Sequence, residues 1–274
     1  MKIVTRISEL SHDVGTSIGL VPTMGGFHKG HLQLMKTAKE ECDLVVASLF
    51  VNPTQFGEGE DFERYPRNLE RDASLAEEVG VDVLFAPSPE EVYPRLGSVI
   101  HVPVVSKLWE GSHRPGHFEG VATVVCKLLN MVGPDVAYFG LKDLQQCLVV
   151  KRMVEDLNMP LTISLQPTVR EEDGLAMSSR NAYLTHEERL LAPSVYRNLS
   201  ECKQKLQVPD LTHEQAEGIL HHAKTSLEDD GFRVDYFELI ELETTKAVRN
   251  LSMQCALIAA ARLGKTRLID NVLL

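Results

Sequence analysis

The stretch Pro22-Thr23-Met24-Gly25-Gly26-Phe27-His28-Lys29-Gly30-His31 carries the densest chemistry in the chain. It follows a short apolar run, Ile18 to Val21, and precedes a helical pattern that starts near Leu32. The sequence therefore predicts a strand, a glycine-rich turn and a helix start bearing two histidines spaced i, i+3. That spacing puts both imidazoles on one side of the first helical turn. Helix N-termini present unpaired N–H groups and the positive end of the dipole, so they attract anions. Gly25 and Gly26 let backbone approach a ligand with no Cβ in the way. Two imidazole donors at such a place suit a phosphate whose charge changes during reaction. The same two histidines could be half of a metal site, or an accident of a surface helix. A zinc site needs a third and usually a fourth ligand, and the helix that follows, through Cys42, offers no further His and one Cys.

In an open α/β sheet, ligands sit beyond the carboxyl ends of the strands. Two other segments occupy such positions. Asn52-Pro53-Thr54-Gln55-Phe56 follows the apolar run Leu44 to Val51. Its amides suit hydroxyl and carboxylate groups, although alone it reads as an ordinary polar loop. Gly140-Leu141-Lys142-Asp143 follows Val136 to Phe139. A lysine at a helix start opposes the macrodipole, whereas an aspartate there is favourable. An anionic phosphate would give Lys142 a reason to be there; the plain alternative is a solvated lysine paired with Asp143. Gln145 and Gln146 fall in the first turn of that helix, where one can face a cleft and the other away from it. A further segment, Asp173-Gly174-Leu175-Ala176-Met177-Ser178-Ser179-Arg180-Asn181, holds two hydroxyls and an arginine, all good phosphate ligands. It reads either as a linker or as a loop that closes over a nucleotide.

These loops need a scaffold, and the first two-thirds of the chain supply one. Strand-like runs at 44–51, 81–86, 136–139 and 161–165 alternate with helical patterns at 68–79, 118–132 and 142–157. Such alternation predicts an α/β fold, a Rossmann-like doubly wound parallel sheet. After Pro167 the pattern changes. Thr185-His186-Glu187-Glu188 and Thr212-His213-Glu214-Gln215 fit helix capping boxes, and Val234 to Leu242 and Cys255 to Arg262 read as strands. A smaller α+β C-terminal domain is expected beyond a boundary near Thr168.

The 274 residues are 43% hydrophobic, enough for a sizeable core. The net charge of −11 argues against nucleic acid as a partner, though a local patch can still hold a small anion. Met1 to Gly15 lacks the apolar core of a signal peptide, and no run approaches a membrane span. The five cysteines are scattered, without a Cys-x-x-Cys pair, and read as free thiols in a reducing cytoplasm. Asn198-Leu199-Ser200 and Asn250-Leu251-Ser252 match a glycosylation pattern that has no bearing without secretion. Gly264-Lys265-Thr266 mimics the end of a phosphate-binding P-loop, but Ala259 stands where the loop needs its first glycine.

Several blocks occur in a distinctive order. They are Val21-Pro22-Thr23-Met24-Gly25, His28-x-Gly30-His31, Phe50-Val51-Asn52-Pro53-Thr54-Gln55-Phe56 and Arg64-Tyr65-Pro66-Arg67. Arg114-Pro115-Gly116-His117-Phe118, Tyr138-Phe139-Gly140, Lys142-Asp143-x-Gln145-Gln146, Pro167-Thr168-Val169-Arg170 and Met177-Ser178-Ser179-Arg180-Asn181 follow. Over residues 18–190 the chain thereby resembles the pantothenate synthetase (pantoate–β-alanine ligase) family of His-x-Gly-His nucleotidyltransferases; the last third matches loosely. The resemblance implies a Rossmann-like domain over residues 1–168, a smaller domain over 169–274 closing over an ATP site, and a cytoplasmic homodimer. It implies that pantoate attacks ATP to give pantoyl adenylate and pyrophosphate, and that β-alanine then displaces AMP. By family position Met24, Gly25, Gly26, Phe27, His28, Lys29, Gly30 and His31 would line the ATP site. His31 would be the proton donor, with His28 and Lys142 beside it in catalysis. Gly140, Leu141, Lys142, Asp143, Val169, Met177, Ser178, Ser179 and Arg180 would also hold ATP. Gln55, Gln146 and Asn52 would hold pantoate, Mg2+ would ride on the phosphates, and Asp72 is the candidate metal ligand.

The chain departs from the family in places. Leu141 stands where Glu is usual, so any polar role of that position is lost. Gly26-Phe27 is bulkier than the usual pair, and Lys29 replaces a frequent Glu. Three other readings stay open at this point: a His-x-Gly-His enzyme that makes a dinucleotide, an aminoacyl-tRNA synthetase-like fragment, and a catalytically dead nucleotide-binding protein. The acidic charge weighs against the second, and intact His28, His31, Lys142 and Arg180 weigh against the third.

Overall fold

The computed structural model describes residues 1–11, 14–95, 97–249, 251 and 254–274. The chain forms two compact units, residues 1–140 with 145–167, and residues 141–144 with 168–274.

The first unit is built on a parallel sheet of β1 (Lys2–Val4), β2 (Ile18–Thr23), β3 (Leu44–Leu49), β4 (Val83–Phe85), β5 (Val136–Gly140) and β6 (Thr162–Gln166). Their order is β1-β4-β3-β2-β5-β6, and every pairing is parallel. The helices are α1 (Lys29–Glu41), α2 (Leu69–Glu78), the short α3 (Pro89–Val92), α4 (Pro103–Ser106) and α5 (Glu110–His113), then α6 (His117–Val132) and α7 (Leu144–Asp156). Successive strand residues alternate between two cores, because a strand sends neighbours to opposite faces. Leu20, Val46 and Phe85 pack with Val121, Val125 and Leu129 of α6 and Val150 and Met153 of α7. Val21, Val45 and Leu84 pack with Met35 and Ala38 of α1 and Ala76 of α2. Helices thus cover both faces, which is why these strands are apolar throughout. Each such burial stabilises by about 1.5–3 kcal/mol. From β2 the chain moves outward to β3 and β4, then returns to place β5 on the other flank of β2. That reversal makes a topological switch point between β2 and β5, the position at which open α/β sheets bind ligands beyond the carboxyl ends of their strands.

The second unit holds α8 (His186–Leu191), α9 (Ser194–Leu206), α10 (His213–Asp229) and an antiparallel sheet of β7 (Arg233–Glu241), β8 (Cys255–Leu263) and β9 (Thr266–Leu273) in that order. Leu199 and Leu206 of α9 and Leu220 and Leu227 of α10 pack on Leu239, Leu257 and Leu263 of the sheet. Thr185 and Thr212 close reciprocal capping boxes. The sequence reading lacked α9 and β9. Strand β9 contains Asp270 and Asn271, residue types that strands disfavour.

All five cysteines are free; Cys126 is half-buried and the other four are buried. Burial pushes the Cys202 thiol up to about 12. Asn198 is buried inside α9, where its amide donates to the Ser194 carbonyl at 2.9 Å. Asn250 and Ser252 lie outside the described residues. Among the described residues no helix is long and apolar enough to cross a membrane.

Candidate active site

Strand β2 ends at Thr23, and the chain turns through Gly25 and Gly26, at φ +86° and +64°. Only glycine adopts that left-handed pair cheaply. Asp72, fully buried on α2, fixes the turn: its carboxylate accepts the Gly26 N–H at 2.8 Å and the Phe27 N–H at 2.9 Å. Phe27 then sends its ring into the core beneath α1, with 1% exposure. His28 is the N-cap of α1. Its Nδ1 accepts the Gly30 N–H at 3.1 Å, and His31 Nδ1 lies 3.4 Å from the His28 N–H in a reciprocal cap. The rings lie 4.1 Å apart between centroids. A neutral imidazole that accepts at Nδ1 carries its proton at Nε2. Both rings are therefore set as Nε2 donors at the positive end of a helix, an arrangement suited to a phosphoryl oxygen gaining charge.

Strand β3 lies beside β2, and the loop that follows it touches the glycine turn. Gln55 Nε2 donates to Met24 Sδ at 3.1 Å, and Gln55 Oε1 accepts from Asn52 Nδ2 at 3.1 Å. Asn52 is spent on the loop itself. It also donates to the Gly120 carbonyl at 3.1 Å and accepts from Thr54 Oγ1 at 3.0 Å and the Tyr93 hydroxyl at 2.9 Å. Gly120 admits this contact, since a Cβ there would collide with the Thr54 carbonyl. The Gln55 backbone is held from α6. His117 Nδ1 donates to the Gln55 carbonyl at 2.8 Å, and Arg114 Nη1 donates to His117 Nε2 at 2.9 Å. Arginine cannot accept, so His117 is fixed in the Nδ1–H form. Burial, helped by the Arg114 charge, lowers its pKa to about 4. Arg114 is gripped by Glu60 through two bonds of 2.8 and 2.6 Å. Burial raises the Glu60 carboxyl, but the Arg114 hydrogen bonds and charge outweigh it and leave it below its ordinary value.

After β5, Leu141–Asp143 form a short 3-10 turn that belongs to the second unit. Lys142 Nζ lies 3.5 Å from Asp143 Oδ1. In the same unit the Met177 N–H donates to the Val169 carbonyl at 3.0 Å, closing the 169–177 turn. Ser178 caps the 3-10 turn Ser179–Tyr183 by accepting the Arg180 N–H at 3.3 Å.

The structure thus brings Met24, Gly25, Gly26, His28, His31, Asn52 and Gln55 to one edge of the first sheet, and Gly140 ends β5 on that edge. Four expectations are refined. Phe27 can offer a ligand only its backbone, because its ring is core. Asn52 organises the loop through its own hydrogen bonds. Asp72 holds the glycine turn through the Gly26 and Phe27 N–H groups, and among the described residues no group of three or more His, Cys, Asp or Glu is placed to hold an ion. Of the two glutamines, Gln145 faces inward, donating to the Val105 and Leu108 carbonyls at 2.8 and 2.9 Å and accepting the Glu110 N–H at 3.0 Å. Gln146 is the half-exposed one. The sequence reading missed Glu60, Arg114 and His117 as a linked set. The Arg114-Pro115-Gly116-His117 block was visible, but nothing local tied it to Gln55.

Residues 2–273 match the family model for Pantoate-beta-alanine ligase, beyond the span that carries the motifs. A pantothenate synthetase from Acinetobacter baumannii is 50% identical over 99% of this chain and 98% of its own. The crystal structure of pantothenate synthetase from Thermus thermophilus aligns with a TM-score of 0.92 at 46% identity, covering 99% of each chain. A pantoate-beta-alanine ligase structure from Francisella tularensis, complexed with beta-gamma ATP and beta-alanine, aligns at 0.81 and 35% identity over 100% of this chain and 97% of its own. Since the match runs through both units, including the strands past residue 190 where motifs are sparse, the chain belongs to the pantoate–β-alanine ligase family of enzymes.

Proposed function

We propose that the chain joins pantoate to β-alanine in two steps on one site. In the first, a pantoate carboxylate oxygen attacks the α-phosphorus of ATP, the bond to the β-phosphate breaks, and pyrophosphate leaves. In the second, the β-alanine amine attacks the acyl carbon of the pantoyl adenylate, loses a proton, and expels AMP. Adenylation is needed because a free carboxylate is a poor electrophile. The observation that carries this reading is the His28–His31 cap, which presents two Nε2 donors at a helix N-terminus beside a glycine turn. The Francisella tularensis relative, bound to beta-gamma ATP and beta-alanine, supports the choice of nucleotide and amine.

In this reading His31 donates to the phosphate as charge builds, and His28 supports it. Lys142 neutralises phosphate charge, and the backbone of Gly25, Gly26, Phe27, Gly30, Gly140, Leu141 and Val169 approaches the nucleotide. Met24, Lys29, Asp143, Met177, Ser178, Ser179 and Arg180 complete its surroundings. Gln55 and Gln146 bind the hydroxyl and carboxylate groups of pantoate. Magnesium enters as part of the substrate, carried on the ATP phosphates with much of its water shell, and Asp72 is the candidate protein ligand to it. We take the enzyme to be a cytoplasmic homodimer. The five free thiols support a reducing compartment, and light scattering measures the dimer.

The test separates the steps. With MgATP and pantoate alone the enzyme should exchange labelled pyrophosphate into ATP. Adding β-alanine should yield AMP and pantothenate in equal amounts. Pyrophosphate exchange that ignores pantoate would overturn the reading.

A further inference from the structure

The Leu141 and Lys142 carbonyls share a partner 130 and 129 residues further along the chain. Asn271 Nδ2 donates to both, at 2.8 and 3.0 Å. Asn271 lies on β9, an edge strand, and is 6% exposed. Its neighbour Asp270, equally buried, grips Arg170 through bonds of 2.6 and 2.9 Å. Asp270 Oδ1 also accepts the Asn271 N–H at 2.8 Å, which fixes the two residues relative to each other. Arg170 completes the arrangement. It donates to the Asn271 carbonyl at 3.3 Å and the Gly174 carbonyl at 3.1 Å, and its guanidinium stacks 3.6 Å over the Tyr196 ring. One dipeptide therefore holds two separate segments, 141–142 and 169–177, and a strand permits this because neighbouring side chains leave it in opposite directions. Every contact in this set lies within the second unit.

We propose that Asp270-Asn271 is a positioning pair for the nucleotide end of the reaction. Asn271 sets the backbone that aims Lys142, and Asp270 sets the 169–177 turn through Arg170. This rests on the assignment of Lys142 to the ATP phosphates. The 3-10 turn at 141–143 runs straight into α7, and the Leu141 and Lys142 carbonyls take a further anchor from outside that helix. An amide with two donors supplies one.

Asn271→Asp keeps the side-chain volume and removes both donors. Its pantoate-dependent pyrophosphate release should fall by roughly 10²-fold, the scale of a reacting group misplaced by about 1 Å. The KM for pantoate and the aminolysis of supplied pantoyl adenylate should barely change. Asn271→Gln, with a donor on a longer stem, should recover part of the loss. The deciding measurement is a double-mutant cycle with Lys142→Met, read as calorimetric affinity for a non-hydrolysable ATP analogue. If Asn271 acts through Lys142, Asn271→Asp weakens binding in the parent enzyme and has no further effect in Lys142→Met. An equal loss in both backgrounds would make the pair a general scaffold and overturn the proposal, while leaving the Lys142 assignment standing. A Lys142→Met enzyme with unchanged ATP affinity and pyrophosphate release would overturn the assignment itself. Should Asn271→Asp lack a cooperative melt, the same cycle on Asn271→Gln decides between these outcomes.

Discussion

His31 accepts a backbone N–H at Nδ1 and so donates from Nε2, whereas His117 donates from Nδ1 to the Gln55 carbonyl and accepts Arg114 at Nε2. The first arrangement places the His31 proton at Nε2; the second locks a neutral ring into the fold. His31→Ala should therefore cost roughly 10²-fold or more in kcat, as loss of one oxyanion donor does, while the lost cap on the His28 N–H lowers stability by only about 0.5–2 kcal/mol. A mutant within a few-fold of the parent rate would remove His31 from the mechanism. His117 bears on stability. Its pKa falls to about 4 on folding from an ordinary 6.5, so between those values the unfolded chain binds the extra proton. Stability is then fully present above pH 6.5 and is lost as pH drops toward 4, by about 3 kcal/mol. His117→Gln should flatten that acid limb in urea titrations run from pH 7 to 4; an unchanged slope would refute the assignment. The two rings differed in legibility as well. His28 and His31 are linked by a spacing of three, which sequence displays. His117 meets Gln55 across 62 residues, and such a contact leaves no local signal.

Helix α6 shows how an element places a side chain that it does not carry. Its first turn passes so close to the loop after β3 that only glycine fits at position 120, and the Gly120 carbonyl receives Asn52. Gly120→Ala would drive a methyl group against backbone that cannot rotate away. Overpacking of this kind costs typically about 1–3 kcal/mol, and here it should also displace Gln55 and raise the KM for pantoate. A Gly120→Ala enzyme with parental stability and KM would show that the loop is more pliant than its hydrogen bonds indicate. The elements of the first sheet were readable because parallel strands covered on both faces are apolar runs, and long amphipathic helices repeat their pattern. Strand β9 was not, because its composition reflects what Asp270 and Asn271 hold rather than what a strand prefers. Helix α9 was missed for a different reason: Pro193 at its N-cap offers no side-chain cap, and its apolar residues are few among polar ones.

At the scale of the molecule, each unit closes its own apolar core. Calorimetry should resolve two unfolding transitions. Leu129→Ala should lower one and Leu227→Ala the other, each by about 2–5 kcal/mol for a buried leucine. A single transition shifted equally by both changes would show that the units melt as one. A boundary near Thr168 could be expected from the change of pattern after Pro167. The assignment of residues 141–144 to the second unit could not, since it depends on hydrogen bonds to a strand near the far end of the sequence.

That last connection bears on how the enzyme comes into being. A chain emerging from the ribosome can close the first sheet and cap α1 long before Asn271 is made. Until then the Leu141 and Lys142 carbonyls lack the amide that holds them. On the proposal above, the nascent protein would own its histidines and glycine turn while the segment that carries Lys142 still waits for its anchor, and would activate a carboxylate only slowly. The capacity to consume ATP would then rise as β9 docks, after the sheet that carries the histidines has closed.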